Sequence, residues 1–231
     1  MDCKDIKFPI KLIIGFVIAI VFSIIVATPS HAFWWMGYHK PAFKGKVIDA
    51  ETKEPIEGAV VVVVYSKKSI GIAESYSVTI NVRETLTDKN GEFYIPSYTT
   101  IIQPLSWEEW ASFIIFKPGY GSFPNWRVYP PMNLSLSVLE DFFSGEVGKE
   151  GEIVERSQIP SLKGEILDRW KVTFGVVELP KLKTRDERIK AKPAPVGAPS
   201  DWKKQKEFIK LIRQEWQYLT GEDPGDLYIN K

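Results

Sequence analysis

Three stretches of the chain hold side chains that could do chemistry. The first is Trp107-Glu108-Glu109-Trp110, two carboxylates between two tryptophans. Paired carboxylates hydrolyse glycosidic bonds when both face one cleft. Adjacent residues of an extended chain point to opposite sides, which suits this pair poorly to that reaction. The stretch has two readings: a solvated loop whose tryptophans cover one end of a domain, or an aromatic platform for carbohydrate or peptide. The second stretch, Ser200-Asp201-Trp202-Lys203, has the Ser-x-x-Lys spacing of an activated serine. Its companion motifs, S-D-N and K-T-G, are missing from the sequence. Ser200 stands at an expected helix start and reads as a cap. The third joins Phe123-Pro124-Asn125-Trp126 to Val128-Tyr129-Pro130-Pro131. Aromatics among prolines form a recognition surface or cover an apolar edge. Trp107, Trp110, Trp126 and Tyr129 are the candidate binding surface.

Composition narrows the remaining chemistry. The 231 residues include two histidines and one cysteine, too few for a zinc cluster or a disulfide. There is no Gly-rich phosphate loop. Thirty basic and 29 acidic residues give a net charge of +1, which argues against nucleic acid as a partner. A hydrophobic fraction of 44% is that of a folded globular chain. The expectation is no catalytic, metal or cofactor site.

The N-terminus reads as an address. Lys4, Lys7 and Lys11 precede an uncharged apolar run over residues 12–27, followed by Pro29 and Ser30-His31-Ala32. A basic start, an apolar run and a small-x-small site make a secretory signal, with cleavage between Ala32 and Phe33. The alternative is an uncleaved anchor, with membrane contact confined to residues 12–27. Either way the rest of the chain is expected outside the cytoplasm: periplasmic, cell-surface or secreted. After cleavage no cysteine remains, and His39 is the single histidine. Residues 33–42 form an aromatic arm.

The elements that must position these residues are mainly strands. Residues 43–50 read as a short strand. Residues 58–65 are a β-branched run without alternation, expected to be covered on both faces. Residues 76–87 alternate, with Tyr76, Val78, Ile80, Val82 and Leu86 on one face and Glu84 as the exception. Asp88-Lys89-Asn90-Gly91 supplies a tight turn, and Phe93 and Ile95 resume the pattern. Ser112–Phe116 is a further strand. Residues 122–169 are an irregular insertion with one short helix near 134–143. Residues 170–179 read as a last strand with Trp170, Val172, Phe174 and Val176 on one face. A charged and Pro-rich linker spans 181–199, and an amphipathic helix over 202–219 ends at Gly221. That helix either docks on the domain or engages a partner. Phe208, Ile212 and Trp216 are its candidate contacts.

Some of these residues are familiar together. Gly45-x-Val47-x-Asp49, then Pro55-Ile56-x-Gly58-Ala59-x-Val61-x-Val63, then Thr87-Asp88-x-x-Gly91-x-Phe93, resembles the carboxypeptidase regulatory-like domain. The resemblance covers roughly residues 43–120 and a last strand at 170–179, and the 122–169 insertion departs from it. It implies a transthyretin-like (Ig-like) antiparallel β-sandwich, common in exported bacterial proteins. Gly58-Ala59 would let the chain enter the valine strand where bulk would crowd, Phe93 would plug the core, and Tyr120 would pack over one end. The family name comes from an accessory domain without a peptidase site, so no activity is implied.

The expected organisation is a signal or anchor over 1–32, the arm over 33–42, a β-sandwich over 43–180, the linker over 181–199, a helix over 200–220 and a tail over 221–231. The expected function is that of an exported, non-catalytic module of the cell envelope, contacting an envelope protein or polysaccharide. The alternatives are a carbohydrate-binding accessory domain and, behind it, a hydrolase with a carboxylate or lysine base.

Overall fold

A computed structural model describes residues 37–71, 74–124, 128–129, 135–156 and 167–222. Ala32, Phe33, the apolar run over 12–27 and Trp126 lie outside the described residues. The unit from Tyr38 to Lys231 is mainly β.

Two sheets form its centre. One has β11 (Val176–Leu179), β2 (Phe43–Asp49) and β5 (Glu92–Ile95), in that order. The other is built on β3 (Val60–Ile70), which pairs with β4 (Ser75–Leu86) on one side. It also pairs with β7 (Ser106–Glu108) and β8 (Ser112–Phe116). Phe43, Val47, Phe93, Ile95, Val177 and Leu179 from the first sheet share one core with Val61, Val63, Tyr65, Phe113 and Ile115 from the second. This two-layer arrangement is consistent with a β-sandwich. Its pairings are antiparallel except β11 with β2, which is parallel. A ribbon of β1 (Gly37–Lys40) and β6 (Tyr98–Ile101) and a hairpin of β9 (Glu150–Arg156) and β10 (Leu167–Thr173) complete the strands.

The uninterrupted valines of β3 have a partner on each face. Val61 and Val63 face the shared core. Val60, Val62 and Val64 meet Val82, Phe116, Phe208 and Ile212 in a second cluster. Phe208 and Ile212 come from α4 (Lys206–Thr220), following α1 (Leu136–Ser144), α2 (Arg185–Ala191) and α3 (Pro199–Trp202). The apolar face of α4 is therefore occupied within the chain, as in the docking alternative, with Phe208 and Ile212 both buried against the valine sheet. Glu84, the polar interruption in β4, accepts hydrogen bonds from the Glu207 and Phe208 N–H groups at 2.9 and 3.0 Å. A helix start leaves N–H groups unpaired, and a carboxylate there also meets the positive end of the helix dipole. This contact helps set the start of α4 at Lys206, four residues later than the periodicity predicts, with α3 as a separate turn before it. Ser200 lies inside α3 and is exposed.

The turn motif is built as a closed set of hydrogen bonds. Thr87 Oγ1 accepts from Ala59 N–H at 2.8 Å and donates to the Ile56 carbonyl at 2.6 Å. Asp88 Oδ1 accepts from the Asn90 and Glu92 N–H groups. Gly91 has φ 73°, and a Cβ there would lie 2.4 Å from the Val47 carbonyl oxygen. Gly58 serves a different purpose from the expected relief of crowding. A Cβ there would meet only Lys117 Nζ, at 3.1 Å, but its φ of 67° disfavours other residues.

Four further expectations change. The alternation of β4 is broken: Ile80 has no register partner opposite Tyr65/Ser66 and packs on the shared core, while Val82 joins the second cluster. The strand over 170–179 is two strands in different sheets, split by a turn at Phe174-Gly175. The 122–169 insertion holds, besides the expected short helix α1, the strand β9 and the start of β10. The charged linker contains α2, whose Thr184 and Glu187 form a reciprocal capping box.

Candidate functional site

Among the described residues, a group of buried ionisable side chains lies where β1, β7 and α1 meet. β1 alternates exposed and buried positions, so Tyr38 and Lys40 point inward together. Both are essentially without solvent exposure, at 0% and 1%. α1 buries Leu139, Glu140, Phe142 and Phe143, so its one inward carboxylate arrives among aromatic rings. Glu108 ends β7 opposite Lys67 of β3. Lys40 Nζ lies 2.6 Å from Glu108 Oε1 and 2.7 Å from Glu140 Oε1. Glu140 Oε1 also accepts a short hydrogen bond from the Ala111 backbone N–H. Trp110 closes the outer side, with Lys40 Nζ 5.1 Å from its ring centre, and the Tyr38 ring lies 5.6 Å away on another side.

The electrostatics follow from burial. One ammonium faces two carboxylates. Burial pushes the Glu140 carboxyl above the ordinary carboxylate range, and this outweighs the opposing pull of Lys40 and Ala111. The Tyr65 phenol, stacked near Tyr98, is pushed up to about 12 by burial. Tyr38 rises further, by burial first and then by Glu108 and Glu140. The Tyr38 and Tyr65 hydroxyls are buried without a hydrogen bond of normal geometry, although Ser66 N–H faces the Tyr38 oxygen and opposes part of its shift.

The predicted surface residues are distributed unevenly around this group. Trp107 and Trp110 are 43% and 54% exposed and flank the buried charges. Their intervening carboxylates are both engaged, Glu108 with Lys40 and Glu109 with the Ser77 hydroxyl at 2.7 Å. Tyr129 is half-buried and held on several sides. Its hydroxyl donates to the Lys171 carbonyl at 3.0 Å and accepts from Thr173 N–H at 3.1 Å. Its backbone pairs with Glu178. Trp216 is half-buried, with Lys192 Nζ 4.5 Å above its ring. His39 Nδ1 contacts Thr99 Oγ1 at 2.8 Å. Among the described residues no group of three or more His, Cys, Asp or Glu is placed to hold a metal, and no helix is long and apolar enough to cross a membrane.

Lys40, Glu140, Tyr38 and Tyr65 are functional candidates that sequence reasoning passed over. One signal was available: Glu140 interrupts the apolar face Leu139-x-x-Phe142-Phe143 of the helix expected near 134–143. No family model, curated protein or solved structure matches the chain.

Proposed function

We propose that the chain is an exported, non-catalytic module of the cell envelope, a sandwich of the carboxypeptidase regulatory-like and transthyretin-like kind. The observation that carries this reading is the use made of its buried and half-buried ionic groups, which tie elements together. Lys40 joins β1 to β7 and α1, Arg188 joins α2 to α4, and Glu84 holds the start of α4. The Thr87-Asp88-Gly91-Phe93 geometry supports the family resemblance, and the leader-like residues 1–32 support export.

On this reading the contact surface is the end carrying Trp107 and Trp110. Cross-linking of the full-length protein in its envelope tests it. The double variant Trp107→Ala/Trp110→Ala is expected to lose adducts that the wild type forms, with the folded signal unchanged. Equal adducts in both would refute this surface. Deleting residues 200–231 is the wrong control, because it would strip α4 from the valine sheet.

The exposure of both tryptophans favours a second reading, a carbohydrate platform stacking sugar rings on Trp107 and Trp110. Glycan-array binding that persists in the double variant would end it.

A further inference from the structure

We propose that Lys40 and Glu140 condense into an intramolecular amide bond that locks β1 to α1. The group has each part such a reaction needs. Lys40 Nζ is the nucleophile and lies 2.7 Å from a carboxylate oxygen of Glu140, the electrophile. Glu108 Oε1, 2.6 Å from the same nitrogen, is the proton acceptor. The Ala111 N–H donates to Glu140 Oε1, where negative charge develops when the carboxyl carbon becomes tetrahedral. Holding amine and carboxyl together removes most of the entropic barrier of a bimolecular condensation.

The step balances without a cofactor. Glu108 takes a proton from the Lys40 ammonium and frees its lone pair. The nitrogen attacks Cδ of Glu140, forming the N–C bond. Glu108 returns the proton to the departing carboxyl oxygen, and a second proton from nitrogen completes a water molecule. One C–O bond breaks, nothing is oxidised, and ammonium plus carboxylate become amide plus water.

The surroundings drive the reaction forward. In water the ion pair is favoured over the amide. Here Lys40 is 1% and Glu140 5% exposed, under the Trp110 ring and against Tyr38. A buried ion pair carries a large desolvation penalty, and a neutral amide carries far less. Condensation removes two opposite charges from the dry site and leaves the charge on Glu108, whose side chain is 37% exposed. Burial also favours the protonated Glu140 carboxyl, the form that yields to an amine. The Arg188–Glu215 pair lacks this capacity, because a guanidinium keeps its proton and offers no free amine.

Intact mass of the full-length protein, denatured after purification, tests the bond. The expected result is a wild type lighter by one water than its sequence requires. Glu140→Ala should show its full sequence mass, and leader processing would affect both equally. Peptide fragmentation should find the segment holding Lys40 joined to the segment holding Glu140. Glu108→Gln, checked for folding by circular dichroism, should retain the full mass, with Glu108→Asp restoring some condensation. Wild type at full mass, with Lys40 and Glu140 recovered on separate linear peptides, would overturn the proposal. So would a water loss located elsewhere. Complete condensation in a folded Glu108→Gln protein would overturn the role given to Glu108.

Discussion

Among the described residues, two ion pairs with a buried member are built on different plans. Arg188 meets Glu215 one to one, through two hydrogen bonds of 2.7 and 2.6 Å, with its guanidinium stacked 4.2 Å from the Tyr218 ring centre. Charge and geometry close on themselves, as a planar fork and a carboxylate allow. Lys40 instead meets two carboxylates, beside two buried tyrosine hydroxyls without a hydrogen bond of normal geometry. That site has one negative charge too many and a cation able to give up a proton. The first group is a finished joint between two helices. The second retains reactants.

Replacing Lys40 by alanine should be the largest perturbation. It leaves Glu108 and Glu140 without their cation, and breaking a buried pair costs about 3–5 kcal/mol. Loss of any covalent tie adds to this. Urea unfolding of the variant against wild type gives the figure, and a loss below about 1 kcal/mol would erase the distinction between buried and surface pairs.

Exchanging the cations probes the two plans directly. Arg188→Lys keeps the charge but loses the fork, an expected loss of about 1–2 kcal/mol in the same measurement. Lys40→Arg keeps the charge at the other site and removes the nucleophile. Its expected mass is that of the sequence, with no water lost. Trp110→Ala opens the Lys40 group to solvent without touching Arg188. Its stability cost should be about 1 kcal/mol, the worth of a partly desolvated cation over a ring. Hydrogen exchange at β1 should rise while exchange at α2 stays fixed.

The smallest effect is a slope with pH. In Glu108→Gln, where Lys40 and Glu140 remain uncondensed, burial still holds the Glu140 carboxyl above its unfolded value. The folded state then binds more protons than the unfolded state between those two values. Stability therefore falls as pH rises through that window. Thermal melts across the acidic to neutral range should show this decline, and Glu108→Gln/Glu140→Gln should remove it. An unchanged slope in the double variant would assign it to another group.

How far these features could be read from sequence depended on the distance between partners. The valine run over 60–64 carried its own message, because only a strand covered on both faces tolerates it. The Asn90-Gly91 turn did so too, through a local demand on φ. Glu84 was visible as an anomaly, but its reason lies 123 and 124 residues away at Glu207 and Phe208. Thr184-x-x-Glu187 was a legible capping box hidden within a charge run that read as linker. Lys40 offered no local cue, since nothing in Tyr38-His39-Lys40 distinguishes a surface lysine from one held by Glu108 and Glu140. Tyr129 left two readings open because its prolines resemble those of exposed recognition loops, while the hydrogen bonds that fix it come from β10.

The cover supplied by α4 has a consequence in time. Every strand it shields precedes it in the chain, so the outward face of Val60, Val62, Val64, Val82 and Phe116 is synthesised well before Phe208 and Ile212 exist. During that interval a flat β-branched surface stands bare, the kind of surface that associates between chains. A growing chain of this design gains from being kept extended until α4 has emerged.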